Sequence, residues 1–157
     1  MAIYFNLAVD CGSNERVATA VMAHFHDLVI ELPGNPPAVC SASHSHQRGL
    51  WFVEVWPLGM GYGIPSTLPS RPELCDARPL EMISRALYAR LQALSGYRRA
   101  VFGAEVYDLL AFATAAEDND LDYGGLVFSQ AAFPDVPAGC AIEPFAPGYA
   151  RITEVRR

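Results

Sequence analysis

No lysine occurs in the 157 residues; all eleven basic residues are arginines. That absence excludes a Schiff-base lysine and the phosphate-binding lysine of a P-loop. Clustered cations are missing as well. The net charge is −6, and without a basic stripe to neutralise phosphates the chain is not expected to bind nucleic acid. No apolar run reaches the ~18 residues of a membrane helix, and "MAIYFNLAVD" carries no basic region ahead of an apolar one. The expected setting is therefore the cytoplasm, away from membranes. Cys11, Cys40, Cys75 and Cys140 are far apart and form no C-x-x-C pair, so four free thiols in a reducing compartment are expected.

What is present suits one domain over residues 1–157. Apolar residues make up 52% and charged residues 18%, enough to build a core and too little charge for long-range disorder. In "IYFNLAVD", Ile3, Phe5, Leu7 and Val9 alternate with Tyr4, Asn6, Ala8 and Asp10, the period of a strand. Ser13 or Asn14 then suits a helix N-cap. Val17, Val21, His24/Phe25 and Leu28 follow at helical spacing. "LVIEL", closed by Pro33 and Gly34, predicts a second strand, and "LWFVEVWPLG" a third. After an irregular stretch rich in glycine and proline, Pro79 opens a second helix. Leu80, Ile83, Leu87, Leu91 and Leu94 mark its face, and Gly96 stands at its end. "YRRAVFGAEV" returns to strand.

Strand, helix, strand, strand, helix, strand is the βαββαβ order of a ferredoxin-like fold, an α+β architecture with an antiparallel sheet and two helices on one face. It covers residues 1–106. Residues 107–157 read as a C-terminal extension: a helix near Val106–Ala116, the acidic "EDNDLD", the short run "GLVFSQ" and a proline-rich tail ending in "GYARITEV".

Four stretches invite a chemical reading. In "CSASHSHQRG", Cys40, His44 and His46 have the ligand types that zinc and copper prefer. Their spacing is not that of a closed structural site, so the stretch is read as a polar loop and the three residues as candidate ligands only. The same stretch lacks the flanking signature of a cysteine nucleophile. "GMGYG" follows a strand but has neither the P-loop lysine nor a helix behind it to bind an anion. "DNDLDYG" sets Asp118, Asp120 and Asp122 at alternate positions, but its glycine, Gly124, falls one place late and Ser129 stands where a calcium loop has its closing glutamate. Glu105 and Asp108 are close enough in sequence for acid–base work, and a surface position is the default for both. No metal or cofactor is expected.

The runs "GLVFSQAAF" and "IEPFAPGYARI", with "FGAEVYDL" before them, resemble the endings of a group of small bacterial proteins of unknown function. Those share a "GLV-S" run and a phenylalanine–proline–glycine–aromatic element. By class the chain also resembles immunity proteins of bacterial toxin systems. That likeness implies a non-enzymatic protein whose partner is a cognate toxin. Its expected contact residues are Trp51, Trp56 and Tyr62, aromatic types that anchor interfaces, together with Asp118, Asp120 and Asp122. A small enzyme or ligand-binding domain using an open sheet face and the histidine stretch is the alternative, and a homodimer is a further possible partner arrangement.

Overall fold

Period-two alternation makes Ile3–Asp10 a strand, β1, and the change to a 3.6-residue period after it makes a helix, α1 (Glu15–Phe25). Asn14 caps α1, its side chain accepting from the Arg16 amide at 3.1 Å. The computed structural model describes residues 3–58, 61–62, 77–104, 106, 125–132 and 140–155. Beyond α1 these form β2 (Val29–Ile30), β3 (Ala38–Gln47), β4 (Leu50–Pro57), β5 (Gly61–Tyr62), α2 (Ala77–Leu91), β6 (Arg99–Ala104), β7 (Val127–Ser129), β8 (Cys140–Ala146) and β9 (Tyr149–Val155). The fold is mixed α+β. Its strands run β2-β3-β4-β1-β6-β7-β9-β8, with β5 pairing in addition to β1, and every pairing is antiparallel. Among the described residues no helix is long and apolar enough to cross a membrane.

Both helices feed one core. Ala18, Val21 and Phe25 of α1 and Ile83, Leu87 and Leu91 of α2 cluster with Leu7 and Val9 of β1, Val53 and Val55 of β4, and Ala100 of β6. These are the stripes expected from helical spacing. The helices also clasp each other: the His24 ring lies 3.1 Å from the Arg90 carbonyl, and the Arg90 Nε donates to the His24 carbonyl at 3.4 Å. A histidine on an apolar stripe with one ring nitrogen satisfied is what the spacing predicts.

Three expectations are corrected. The stretch read as a polar loop is a ten-residue strand, β3, while "LVIEL" contributes only Val29 and Ile30 to the sheet. The physical reason is register: β3 pairs with β4 without interruption from Cys40 to Gln47, and the ladder outweighs the low strand propensity of serine. The proline-rich tail also holds a strand, β8. Pro144 is tolerated there because β8 is the last strand of the sheet and a proline at an edge removes no ladder bond. Finally, the second face of the sheet is closed around β1. Asn6 and Asp10 are buried, and Ala8, Val101, Val106, Leu126, Phe128 and Ile152 form a second small core. The C-terminal strands cause this by carrying Phe128 and Ile152 onto that face. The helix expected over Val106–Ala116 lies, apart from Val106, outside the described residues.

Candidate functional site

The β3–β4 hairpin is closed by Arg48 and Gly49, whose φ angles of 52° and 79° are both positive. Two consecutive left-handed residues make the tight turn whose twist matches a hairpin, and glycine accepts that conformation without cost. The turn fixes the register, so His46 stands opposite Trp51 and His44 opposite Val53. Residues two apart share a strand face. Both imidazoles therefore reach the same indole: His46 stacks on Trp51 with centroids 4.7 Å apart and planes at 28°, and His44 meets it edge-on at 5.2 Å. The backbone of Trp51 is fixed as well. The Trp51 amide donates to the Gly12 carbonyl at 2.7 Å, and the Cys11 amide donates to the Trp51 carbonyl at 2.8 Å. Trp51 is half-buried, packed against the core on one flank, and His46 is exposed.

Cys40 does not join this group. On a strand rising ~3.3 Å per residue it lies roughly 13 Å from His44, and it is buried. Burial pushes its thiol up to about 11, which disfavours the thiolate that a ligand or nucleophile needs. The candidate triplet is thus split into a buried cysteine and a histidine pair. Among the described residues no three His, Cys, Asp or Glu side chains stand together as a metal cage. Of the remaining expected contact residues, Trp56 is half-buried opposite Ser41. It lies on the sheet face away from Trp51, five positions along the same strand. Tyr62 takes part in β5 through its backbone. Asp118, Asp120, Asp122, Glu105 and Asp108 lie outside the described residues, as does most of "GMGYG".

A second polar group forms where β1 ends, and no sequence signal marked it. The Asp10 carboxylate is wholly buried. One oxygen accepts from Arg99 Nε and Nη2 at 3.1 and 3.0 Å, with Arg98 Nη1 at 3.8 Å, and the other accepts from the Gly12 amide at 2.9 Å. With two arginines and an amide on one carboxylate, the charge is compensated in place, an arrangement that locks the β1–β6 register. Beside it, burial and then the Asp10 charge push the Cys11 thiol up to about 12. Neither cysteine is poised for chemistry.

A groove of about 560 Å³ opens between the end of α1, β2 and α2, lined by His24, Leu28, Ile30, Ala86, Ala89 and Arg90 among others. No family model, curated protein or solved structure matches the chain.

Proposed function

We propose that this chain is a non-enzymatic protein-binding protein, an immunity-type inhibitor that covers the working surface of a bacterial toxin, built on a ferredoxin-like core of β1, α1, β3, β4, α2 and β6. The order β3-β4-β1-β6 within the sheet supports the fold reading, as does the shared core of α1 and α2. The observation that carries the function is Trp51 in contact with two imidazoles. An indole fixed before binding loses little side-chain freedom on contact, and tryptophan is the residue type most concentrated at interface hot spots. The net charge of −6 favours a partner that is basic where it binds, because complementary charge speeds encounter.

The test is co-expression with the toxic product of an adjacent gene. Growth protected by the wild type and lost with Trp51→Ala, with circular dichroism showing the variant still folded, is the expected result. Equal protection by the variant removes Trp51 from the contact surface, and no protection by the wild type ends the inhibitor reading. A small-ligand site is the second reading, favoured by the groove between α1, β2 and α2, since ligand sites are concave and mostly apolar with a few polar groups at the rim.

A further inference from the structure

The two ends of the sheet are finished differently. At one end β8 is blunted: Pro144 sits inside it, its register with β9 shifts twice, and Glu143 is tied to Arg151 at 2.6 Å. Proline, bulges and charge are the devices that stop an edge from recruiting another strand. The other end lacks all three. β2 covers β3 only at Ala38 and Val39, and the ladder is prolonged by one step, with the Cys40 amide donating to Leu28 and the Cys40 carbonyl accepting from Asp27. Beyond that point β3 runs on through Gln47 with β4 on one side alone among the described residues.

Which backbone groups are left over follows from the ladder. Cys40 bonds outward, to Leu28 and Asp27, while the Val39 carbonyl accepts from Leu58, on the β4 side. Direction alternates along an antiparallel strand, and the β3–β4 register has no bulge. The amides and carbonyls of Ala42, His44 and His46 therefore point away from β4, and no described residue bonds to them. From Ala38 to Gln47 the strand reads AVCSASHSHQ, with no Asp, Glu, Lys, Arg or Pro. This is an edge without protection.

We propose that the edge is filled by β3 of a second copy, running antiparallel about a two-fold axis through His44. Such a seam is isologous: Ala42 lies opposite His46 of the second copy, Ser43 opposite its Ser45, and Ser41 opposite its Gln47. From Ser41 to Gln47 no side chain in that register meets an Asp, Glu, Lys or Arg, so the strand is complementary to itself. A foreign acidic or basic segment would find no opposite charge on β3. The outward groups of Ala42, His44 and His46 supply roughly six ladder bonds between the copies. α1 packs over β3 and β4, and its exposed residues after the first turn, Thr19, Ala20 and Ala23, are small and uncharged. The helix of the second copy can thus lie beside it on the same face of the continued sheet.

The pairing also completes a site that one copy holds only in half. The two His44 residues come to Cα positions roughly 5.5 Å apart, which joins both His44–His46–Trp51 clusters into one aromatic strip across the axis. The dimer rests on the backbone edge and stands whether or not Trp51 anchors a toxin.

Sedimentation of the protein alone, without any partner, tests it. The expected mass at tens of micromolar is twice 17.1 kDa. Ser43→Lys sets a charge on an exposed position beside the seam, and His44→Pro removes an outward amide without touching the β4 ladder. Both are expected to sediment at 17.1 kDa with circular dichroism unchanged, while Ile142→Lys on β8 stays dimeric. A wild-type monomer at hundreds of micromolar overturns the proposal, as does a dimer that survives Ser43→Lys.

Discussion

The amide of Phe102 and the carbonyl of Gly125 stand two residues beyond the Ala100–Val127 pair, at the next hydrogen-bonding rung of the β6–β7 ladder, yet they meet only through the phenol of Tyr88. The Phe102 amide donates to the Tyr88 hydroxyl at 3.0 Å, and that hydroxyl donates to the Gly125 carbonyl at 2.8 Å. A side chain from α2 thus stands in for a backbone bond where the two strands part. Gly125 has φ 98°, and a Cβ there would lie 2.9 Å from the Tyr88 hydroxyl, so glycine is required for the phenol to enter.

Tyr88→Phe is expected to cost roughly 1–3 kcal/mol, because it leaves an amide and a carbonyl unpaired in a buried place. Denaturant unfolding measures the loss, and hydrogen exchange at the Phe102 amide locates it. An unchanged midpoint together with unchanged protection at Phe102 would show that β6 and β7 close the rung directly.

Two ion pairs of the sheet, Asp10–Arg99 and Glu143–Arg151, should differ sharply in worth. Asp10→Asn leaves Arg99 beside a neutral group in a buried setting, a change expected to cost about 3–5 kcal/mol. Glu143→Gln breaks a pair with both partners substantially exposed, where the loss is about 0–1 kcal/mol. Thermal or chemical unfolding of the two variants side by side decides this. Equal effects would refute the placement of Asp10 in the interior.

Stability should fall in alkali for a stated reason. Burial holds the Cys11 and Cys40 thiols at about 12 and about 11, against the usual 9.0. Above pH 9.0 the unfolded chain loses these protons and the folded chain keeps them, so unfolding gains from each further rise in pH. The contribution is complete below pH 9.0 and is lost up to the folded values, at roughly 1.4 kcal/mol per unit and thiol. Unfolding midpoints from neutral pH to about pH 11 test it against a Cys11→Ala, Cys40→Ala variant, whose curve should be flatter. A wild-type curve level across that window contradicts the burial of both thiols.

Tyr97 and Tyr149 stack at 4.2 Å but differ in their hydroxyls. Tyr149 donates to the Tyr97 carbonyl at 2.8 Å, whereas the buried Tyr97 hydroxyl has no partner among the described residues. Tyr97→Phe is therefore expected to be neutral or mildly stabilising, and Tyr149→Phe to cost about 1 kcal/mol. The reverse order in a melting experiment would mean that the Tyr97 hydroxyl is satisfied in solution.

The elements that rest on a long apolar period are legible in the sequence. Val21 and Phe25 of α1 and Ile83, Leu87 and Leu91 of α2 are buried as spaced, β1 falls where alternation puts it, and β4 and β6 fall within the runs "LWFVEVWPLG" and "YRRAVFGAEV". β3 was not legible, because its side chains are serines and histidines and its place is decided by a hairpin partner. The signal was there in the Arg48–Gly49 turn followed by a strong strand, but it specifies register only once both strands are paired. Half of the candidate site was legible. His44 and His46 were singled out, while their common contact with Trp51 depends on that register. Asp10 stands in the sequence only as one member of the alternation in β1, and its partner Arg99 lies 89 positions on.

β1 lies in the middle of the sheet, and both of its neighbours are synthesised long after it. Asn6 bonds Glu54, 48 positions on, and Asp10 bonds Arg99, 89 positions on. A growing chain therefore carries β1 with both sides bare until β4 arrives, and with one side bare until β6 does. Contacts of such span make folding slow relative to local helix formation, and they keep sticky strand sides in reach of other nascent chains meanwhile. For this molecule stability arrives late in synthesis, and the ribosome, by its pace between β4 and β6, sets how long the central strand must wait.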